Sequence, residues 1–255
     1  MKTFTSGGQP VIQVLAALLV VFPLRAEMLL HYPLDEAPVI SSTNQPVDRT
    51  GKTLVAGVNG TLESVPGAIG GAINFDHPDA VGWIWLARKK DDVISRINHA
   101  SKTTGWSGSY WVKGGAQASA NLYTMEGEGE FRWVTTATNV LSLVFNDVSE
   151  RITSLKPFDD VWNHIAWTVD LTRTTSNIHV YYNGAWQGAY DADLTKAGGI
   201  EYVDPDDERL FFGGRSNGGN AFDGALDDIA FWDQVLTKEE ISRVHARGAA
   251  SYAGP

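Results

Sequence analysis

The segment His164-Ile165-Ala166-Trp167-Thr168-Val169-Asp170, followed by Ile178-His179-Val180-Tyr181-Tyr182-Asn183-Gly184-Ala185-Trp186-Gln187-Gly188-Ala189-Tyr190, alternates with period two. Ile165, Trp167 and Val169 fall on one face, as do Ile178, Val180 and Tyr182. Successive side chains of a strand point to opposite sides of a sheet, so this pattern marks strands with one buried face. Asn183-Gly184 sits between two of these runs. A two-residue hairpin turn needs positive φ at both positions, and Asn-Gly tolerates that best. The segment therefore predicts strands joined by a tight hairpin.

Outward from the hairpin, further strands are expected at 28–32, 72–75, 109–113, 121–125, 130–135, 141–145, 209–213 and 228–232. One helix is expected near the C-terminus. Thr237-Lys238-Glu239-Glu240 is a capping box, Ile241 and Val244 give it an apolar face, and Gly248 ends it. The Thr hydroxyl and the Glu carboxylate can each accept from an unpaired amide at the helix start. Many strands and one late helix indicate an all-β, two-sheet antiparallel sandwich or jelly roll. The domain is read as 27–247, with a flexible tail at 248–255. The stretch 76–105 reads as irregular, with a possible insertion.

Residues 1–26 read as a secretory signal peptide. Lys2 lies in a polar leader, the run Val11 to Phe22 is apolar, and Pro23-Leu24-Arg25-Ala26 offers a small residue at the cut. The run is shorter than the ~20 apolar residues of a bilayer span, so no membrane span is expected after cleavage. The implied location is secreted, periplasmic or cell-surface, in a bacterium. The chain has no Cys, which removes thiol catalysis and thiolate metal sites. Its net charge is −10, which repels phosphate backbones and argues against nucleic acid. The sequence leaves the oligomeric state open.

Several segments in order resemble a laminin G-like jelly-roll domain of the concanavalin A-like lectin/glucanase superfamily. They are Met28-Leu29-Leu30-His31-Tyr32-Pro33-Leu34-Asp35-Glu36, Gly71-Ala72-Ile73-Asn74-Phe75-Asp76, Ser109-Tyr110-Trp111-Val112-Lys113 and Val161-Trp162-Asn163-His164-Ile165-Ala166. Leu210-Phe211-Phe212-Gly213-Gly214 and Phe222-Asp223-Gly224-Ala225-Leu226-Asp227-Asp228-Ile229-Ala230-Phe231-Trp232 continue the series. The resemblance implies two antiparallel sheets packed face to face. It also implies a structural Ca2+ held by Asp35 and Asp227 with backbone carbonyls near Gly71. The competing reading is that both acids cap turns by accepting from nearby amides. The acidic run Asp204, Asp206, Asp207 and Glu208 is a second cation candidate or a solvated loop. It lacks the central Gly and distal Glu of an EF-hand loop.

Aromatic side chains stack on sugar rings while amides and carboxylates fix the hydroxyls. Trp83, Trp85, Trp106, Trp186, Tyr190 and Asn220 are the candidate ligand-binding residues. Trp111, Trp162 and Trp167 are expected in the core. For catalysis, Glu126-Gly127-Glu128-Gly129-Glu130 is a carboxylate series with alternate spacing. Glucanases of the same superfamily carry E-x-D-x-E on one strand, where alternation puts the acids on one face. Here Glu replaces the middle Asp and Gly fills both gaps, which favours an acidic hairpin tip. The expected function is a non-catalytic module binding glycan or an extracellular protein. The alternatives are an adhesive structural protein and a glycoside hydrolase or lyase.

Overall fold

The computed structural model describes residues 26–36, 39–52, 55–75, 82–87, 104–116, 123–127, 131–135, 138–145, 155–192, 209–214 and 221–252. The strands are β1 (Met28–Tyr32), β2 (Val39–Ile40), β3 (Val55–Asn59), β4 (Leu62–Pro66), β5 (Gly71–Asn74), β6 (Trp83–Ala87), β7 (Gly105–Lys113) and β8 (Tyr123–Gly127). After them come β9 (Phe131–Thr135), β10 (Leu141–Phe145), β11 (Asn163–Asp170), β12 (Ile178–Tyr182), β13 (Ala185–Tyr190), β14 (Arg209–Phe212) and β15 (Ala225–Trp232). The helix α1 (Lys238–Arg247) and a short 3-10 helix (Ala249–Tyr252) follow.

Two antiparallel sheets result. One has nine strands in the order β13-β12-β11-β7-β15-β5-β4-β2, with β1 also on β15. The other has six, in the order β10-β9-β8-β14-β6-β3. The predicted hairpin is present, and Asn183 (φ 49°) and Gly184 (φ 73°) both take positive φ. Among the described residues the fold is the expected two-sheet sandwich with one short α-helix.

The core lies between the sheets and is strongly aromatic. Trp106 is wholly buried, stacked on Phe231 at 5.8 Å and edge-on to Trp167 at 6.0 Å. Trp133 meets Trp167 at 5.4 Å and Tyr110 at 6.4 Å. The Tyr110 hydroxyl is satisfied by Thr124 Oγ1 at 2.9 Å, as a buried hydroxyl requires.

A second apolar cluster lies on the other face of the nine-stranded sheet, under α1. Ala166, Tyr181, Ala230 and Trp232 from the sheet meet Leu236, Ile241, Val244, Ala249 and Tyr252. The capping box is formed: Glu240 N donates to Thr237 Oγ1 at 3.3 Å, and Thr237 N donates to Glu240 Oε2 at 2.7 Å.

Three expectations are corrected. Trp83 and Trp85 lie on a regular strand, β6, and not in an irregular stretch. The tail is docked as far as Tyr252, which is buried while its carbonyl accepts from Trp232 Nε1 at 3.0 Å. Trp162 is half-buried at the surface, outside the core clusters. Among the described residues no helix is long and apolar enough to cross a membrane. The proposed leader, apart from Ala26, lies outside them.

Candidate functional site

The carboxylates of Asp35 and Asp227 are brought to one corner by the β4–β5 hairpin. Gly67 N donates to Gly70 O at 2.9 Å and closes the hairpin tip. Gly71 N then donates to Asp35 Oδ1 at 2.7 Å, and Ile69 N to Asp227 Oδ2 at 2.8 Å. Asp227 is placed by an irregularity in β15. The register with β7 shifts between Asp227 and Ala230, and Asp228 has φ 48°. At this bulge β15 changes partner, from β5 through Ala225 and Leu226 to β1 through Ile229 to Trp232. Asp228 turns the other way, accepting from His31 Nε2 at 2.7 Å and Ala249 N at 2.6 Å.

The amide bonds satisfy one oxygen of each acid, which is the turn-capping role. They leave Asp227 Oδ1 buried with no hydrogen-bond partner among the described residues. Burial pushes the Asp227 carboxyl up to about 8 from an ordinary 3.8. The Asp228 and Asp35 charges push the same way, against the amide bonds from Ile69 and Ala68. An unpaired acceptor of this kind is expensive unless a proton or a cation meets it. The donor set suits a hard, oxygen-liganded cation. It offers two carboxylates and the Gly71 carbonyl, and among the described residues no group of three or more His, Cys, Asp or Glu is assembled. The cradle also needs Gly67, since a Cβ there would lie 2.3 Å from Gly71 O and 2.6 Å from Asp227 Oδ2. Gly67, Ile69 and the Asp228 turn were not singled out from sequence.

The predicted aromatic residues do not form one site. Trp106 belongs to the core and is closed to any ligand; strand alternation turns it inward with Tyr110 and Val112. Trp83 and Trp85 are half-buried on the outer face of the six-stranded sheet, and the Trp85 ring lies against Gly57. Trp186 is 51 % exposed on β13, at the edge of the other sheet. Tyr190, on the same strand, is half-buried against the main core. Asn220 and the acidic run at 204–208 lie outside the described residues. Glu126 is on β8 in register with Phe211 and Arg132, and β8 ends at Gly127. Glu128 and Glu130 lie outside the described residues.

One further cluster escaped the sequence reading. Trp111 faces Asp227 on one neighbouring strand and His164 on the other. His245 of α1 stacks on Trp111 at 5.2 Å and stands 5.5 Å from the His164 ring. Burial pushes His164 down to about 3, and His245 adds to that.

Residues 89–242, more than half of the chain, match the laminin G-like family described as the concanavalin A-like lectin/glucanases superfamily. No curated protein sequence matches. Among solved structures, the binding domain of botulinum neurotoxin DC in complex with SialylT is similar over 86 % of this chain and 51 % of that one, at 14 % identity and TM-score 0.61. The same coverage, identity and TM-score hold for the neurotoxin DC binding domain in complex with rat synaptotagmin II. The chain thus spans about half the length of these neurotoxin domains. Domain 4 of AbnA, a GH43 extracellular arabinanase from Geobacillus stearothermophilus, in complex with arabinotriose, is similar over 86 % of this chain and 98 % of that one, at 17 % identity and TM-score 0.55. Identities this low establish a shared fold.

Proposed function

The chain belongs to the concanavalin A-like lectin/glucanases superfamily, and from that premise we propose that it is an exported, non-catalytic binding module for glycans, stabilised by a calcium ion. The observation that carries the calcium is the buried, unpartnered Asp227 Oδ1 beside Asp35. Asp35, Asp227 and the Gly71 carbonyl would hold the ion. Calcium would supply the positive charge that lets both acids remain ionised at the corner. The protein's own part is to fix the two carboxylates through the amides of Ile69 and Gly71.

The glycan reading draws on relatives of the same fold whose structures hold sugars, SialylT in one and arabinotriose in the other. A protein partner is the second form of the reading, supported by the neurotoxin domain bound to synaptotagmin. Catalysis is disfavoured because Gly fills both gaps of the Glu126, Glu128 and Glu130 series, where it weakens a strand. Export rests on the leader pattern at 1–26.

The test is a glycan array probed with the chain in calcium and again with a chelator. Retention of a defined set of glycans in calcium is expected. Loss on chelation would place calcium at the ligand, and survival would leave it structural. Failure to bind any glycan in either condition would overturn the glycan reading and leave a protein partner.

A further inference from the structure

We propose that a groove on the outer face of the nine-stranded sheet, next to the Asp35–Asp227 corner, binds a neutral pyranose sugar through Trp162, Asn74, Lys113, Asp160 and Asp223. This rests on the binding-module reading and gives it a site and a ligand class. The sequence reading placed none of these five residues in a site.

The register shows why the groove exists. Asn74, Ala225 and Lys113 stand side by side on β5, β15 and β7. Their chain neighbours Ile73, Leu226 and Val112 face the core, so these three face outward. One row further on are Asp227, Trp111 and His164, where His245 of α1 rests on Trp111. The helix covers the sheet from that row onward, at Ala166, Ala230 and Tyr181. Among the described residues it leaves the Asn74–Ala225–Lys113 row uncovered. The open space there measures about 340 Å³ and is also lined by Val65 and Pro66. That is at the lower end of small-molecule sites, roughly 300–1,000 Å³. It suits one or two sugar rings and not a folded partner.

The walls are fixed before a ligand arrives. Trp162 and Asp160 sit on the loop leading into β11. Asn163 ties that loop down, its Nδ2 donating to Pro157 O at 3.1 Å, Asp159 Oδ1 at 2.9 Å and Val161 O at 3.2 Å. Asn163 Oδ1 in turn accepts from the Tyr182 hydroxyl at 2.7 Å and Asn183 Nδ2 at 3.0 Å. Asp160 takes φ 62° and donates its own amide to Gly114 O at 3.0 Å. On the opposite wall, Gly224 must be glycine, because a Cβ would lie 2.3 Å from Lys113 O and 2.5 Å from the Phe222 ring. That close approach puts Asp223 beside the end of β7. Preorganised walls lower the ordering cost of binding.

Chemistry selects the ligand. Trp162 offers a half-buried indole for the apolar side of a sugar ring. Lys113, Asp160 and Asp223 are exposed, and Asn74 is half-buried. Sugar hydroxyls donate and accept, so they can use the ammonium, the amide and the carboxylates together. Among the described residues the groove carries two acids and one Lys, on a chain of net charge −10. That balance and the net charge of the chain disfavour uronates, sialylated and sulfated sugars relative to neutral ones.

The experiment is an array carrying neutral oligosaccharides and their sialylated and uronate counterparts. It is probed with the chain and with Trp162→Ala, Asp223→Asn and the remote control Arg173→Ala, on the exposed turn at the other end of β11, followed by titration calorimetry on the best glycan. Neutral glycans are expected to bind, with affinity falling roughly tenfold in Trp162→Ala and in Asp223→Asn. Arg173→Ala should leave affinity unchanged. Asp223→Asn keeps the side chain's shape, and its unfolding temperature is measured beside that of the unmodified chain, so that a loss of affinity at unchanged temperature reads as lost contact. Equal affinity in all variants would overturn the groove while leaving the module a glycan binder. Preference for acidic glycans would overturn the ligand class. No glycan bound by the folded, unmodified chain would overturn the proposal and leave a protein partner as the module's ligand.

Discussion

Asp227→Asn should make the protein's stability less dependent on pH in the absence of calcium. In the native state the Asp227 carboxyl sits at about 8, against an ordinary 3.8 once unfolded. A folded-state value raised in this way means that the native state keeps a proton which the unfolded chain gives up. The resulting stability is fully present below the unfolded value and is lost as pH rises through the folded one. While native Asp227 stays protonated the loss runs at ~1.4 kcal/mol per pH unit, so it is about 2 kcal/mol between pH 6.5 and 8. Over the whole window it is on the order of 5 kcal/mol. His164 does not confuse the comparison, because its shift is present in both proteins and acts mainly below pH 6.5. The assay is urea unfolding in chelator at pH 6.5 and 8, for the unmodified chain and the variant. The unmodified chain should lose about 2 kcal/mol more than the variant across that interval. Calcium at ten times its dissociation constant should return about 1.4 kcal/mol to the unmodified chain at pH 8 and nothing to the variant. Parallel pH dependences in chelator, or an equal response of both proteins to calcium, would refute the reasoning.

Other perturbations should separate core, helix and corner. Gly67→Ala fills the cradle against Gly71 O and Asp227 Oδ2, so calcium should no longer raise its unfolding temperature. Trp106→Ala removes a wholly buried ring from the Phe231 and Trp167 contacts and should cost ~3–5 kcal/mol by urea unfolding. Thr237→Ala removes the helix cap and should cost about 1 kcal/mol, with faster amide exchange in the first turn of α1. Since His164 is held low by burial, its ring proton shifts should stay flat in NMR titrations down to about pH 4. As pH falls below 6.5 the unfolded chain takes up that proton and the native chain does not, so His164 contributes a loss of stability on acidification.

Much of the sheet was legible because alternation is visible when polar residues fill the outer face. The strands Asn163–Asp170 and Ile178–Tyr182 leading to Asn183-Gly184 show it plainly. β6 was not legible, since Trp-Ile-Trp-Leu-Ala is apolar at every position and hides its period. β3 and β4 carry Gly57 and Pro66, residues that read as punctuation. The aromatic identity of Trp106 and Trp162 says nothing about direction. One is inside because its strand is long and paired on both sides, the other at the surface because it precedes β11. Asp35 and Asp227 were legible through the family resemblance alone. The amide that grips Asp227 is 158 residues away along the chain. Ala249 to Tyr252 lacks any period, and it is held by a tryptophan N–H that only the folded sheet provides.

The most direct measurement is to incubate the chain with a captured neutral oligosaccharide at saturating concentration, then recover the sugar and analyse it. A binding module predicts retention on the protein and recovery of the sugar unchanged, with no new reducing ends however long the incubation. Shortened or unsaturated products that accumulate with time, and vanish in Glu126→Gln, would contradict the account and make the protein an enzyme.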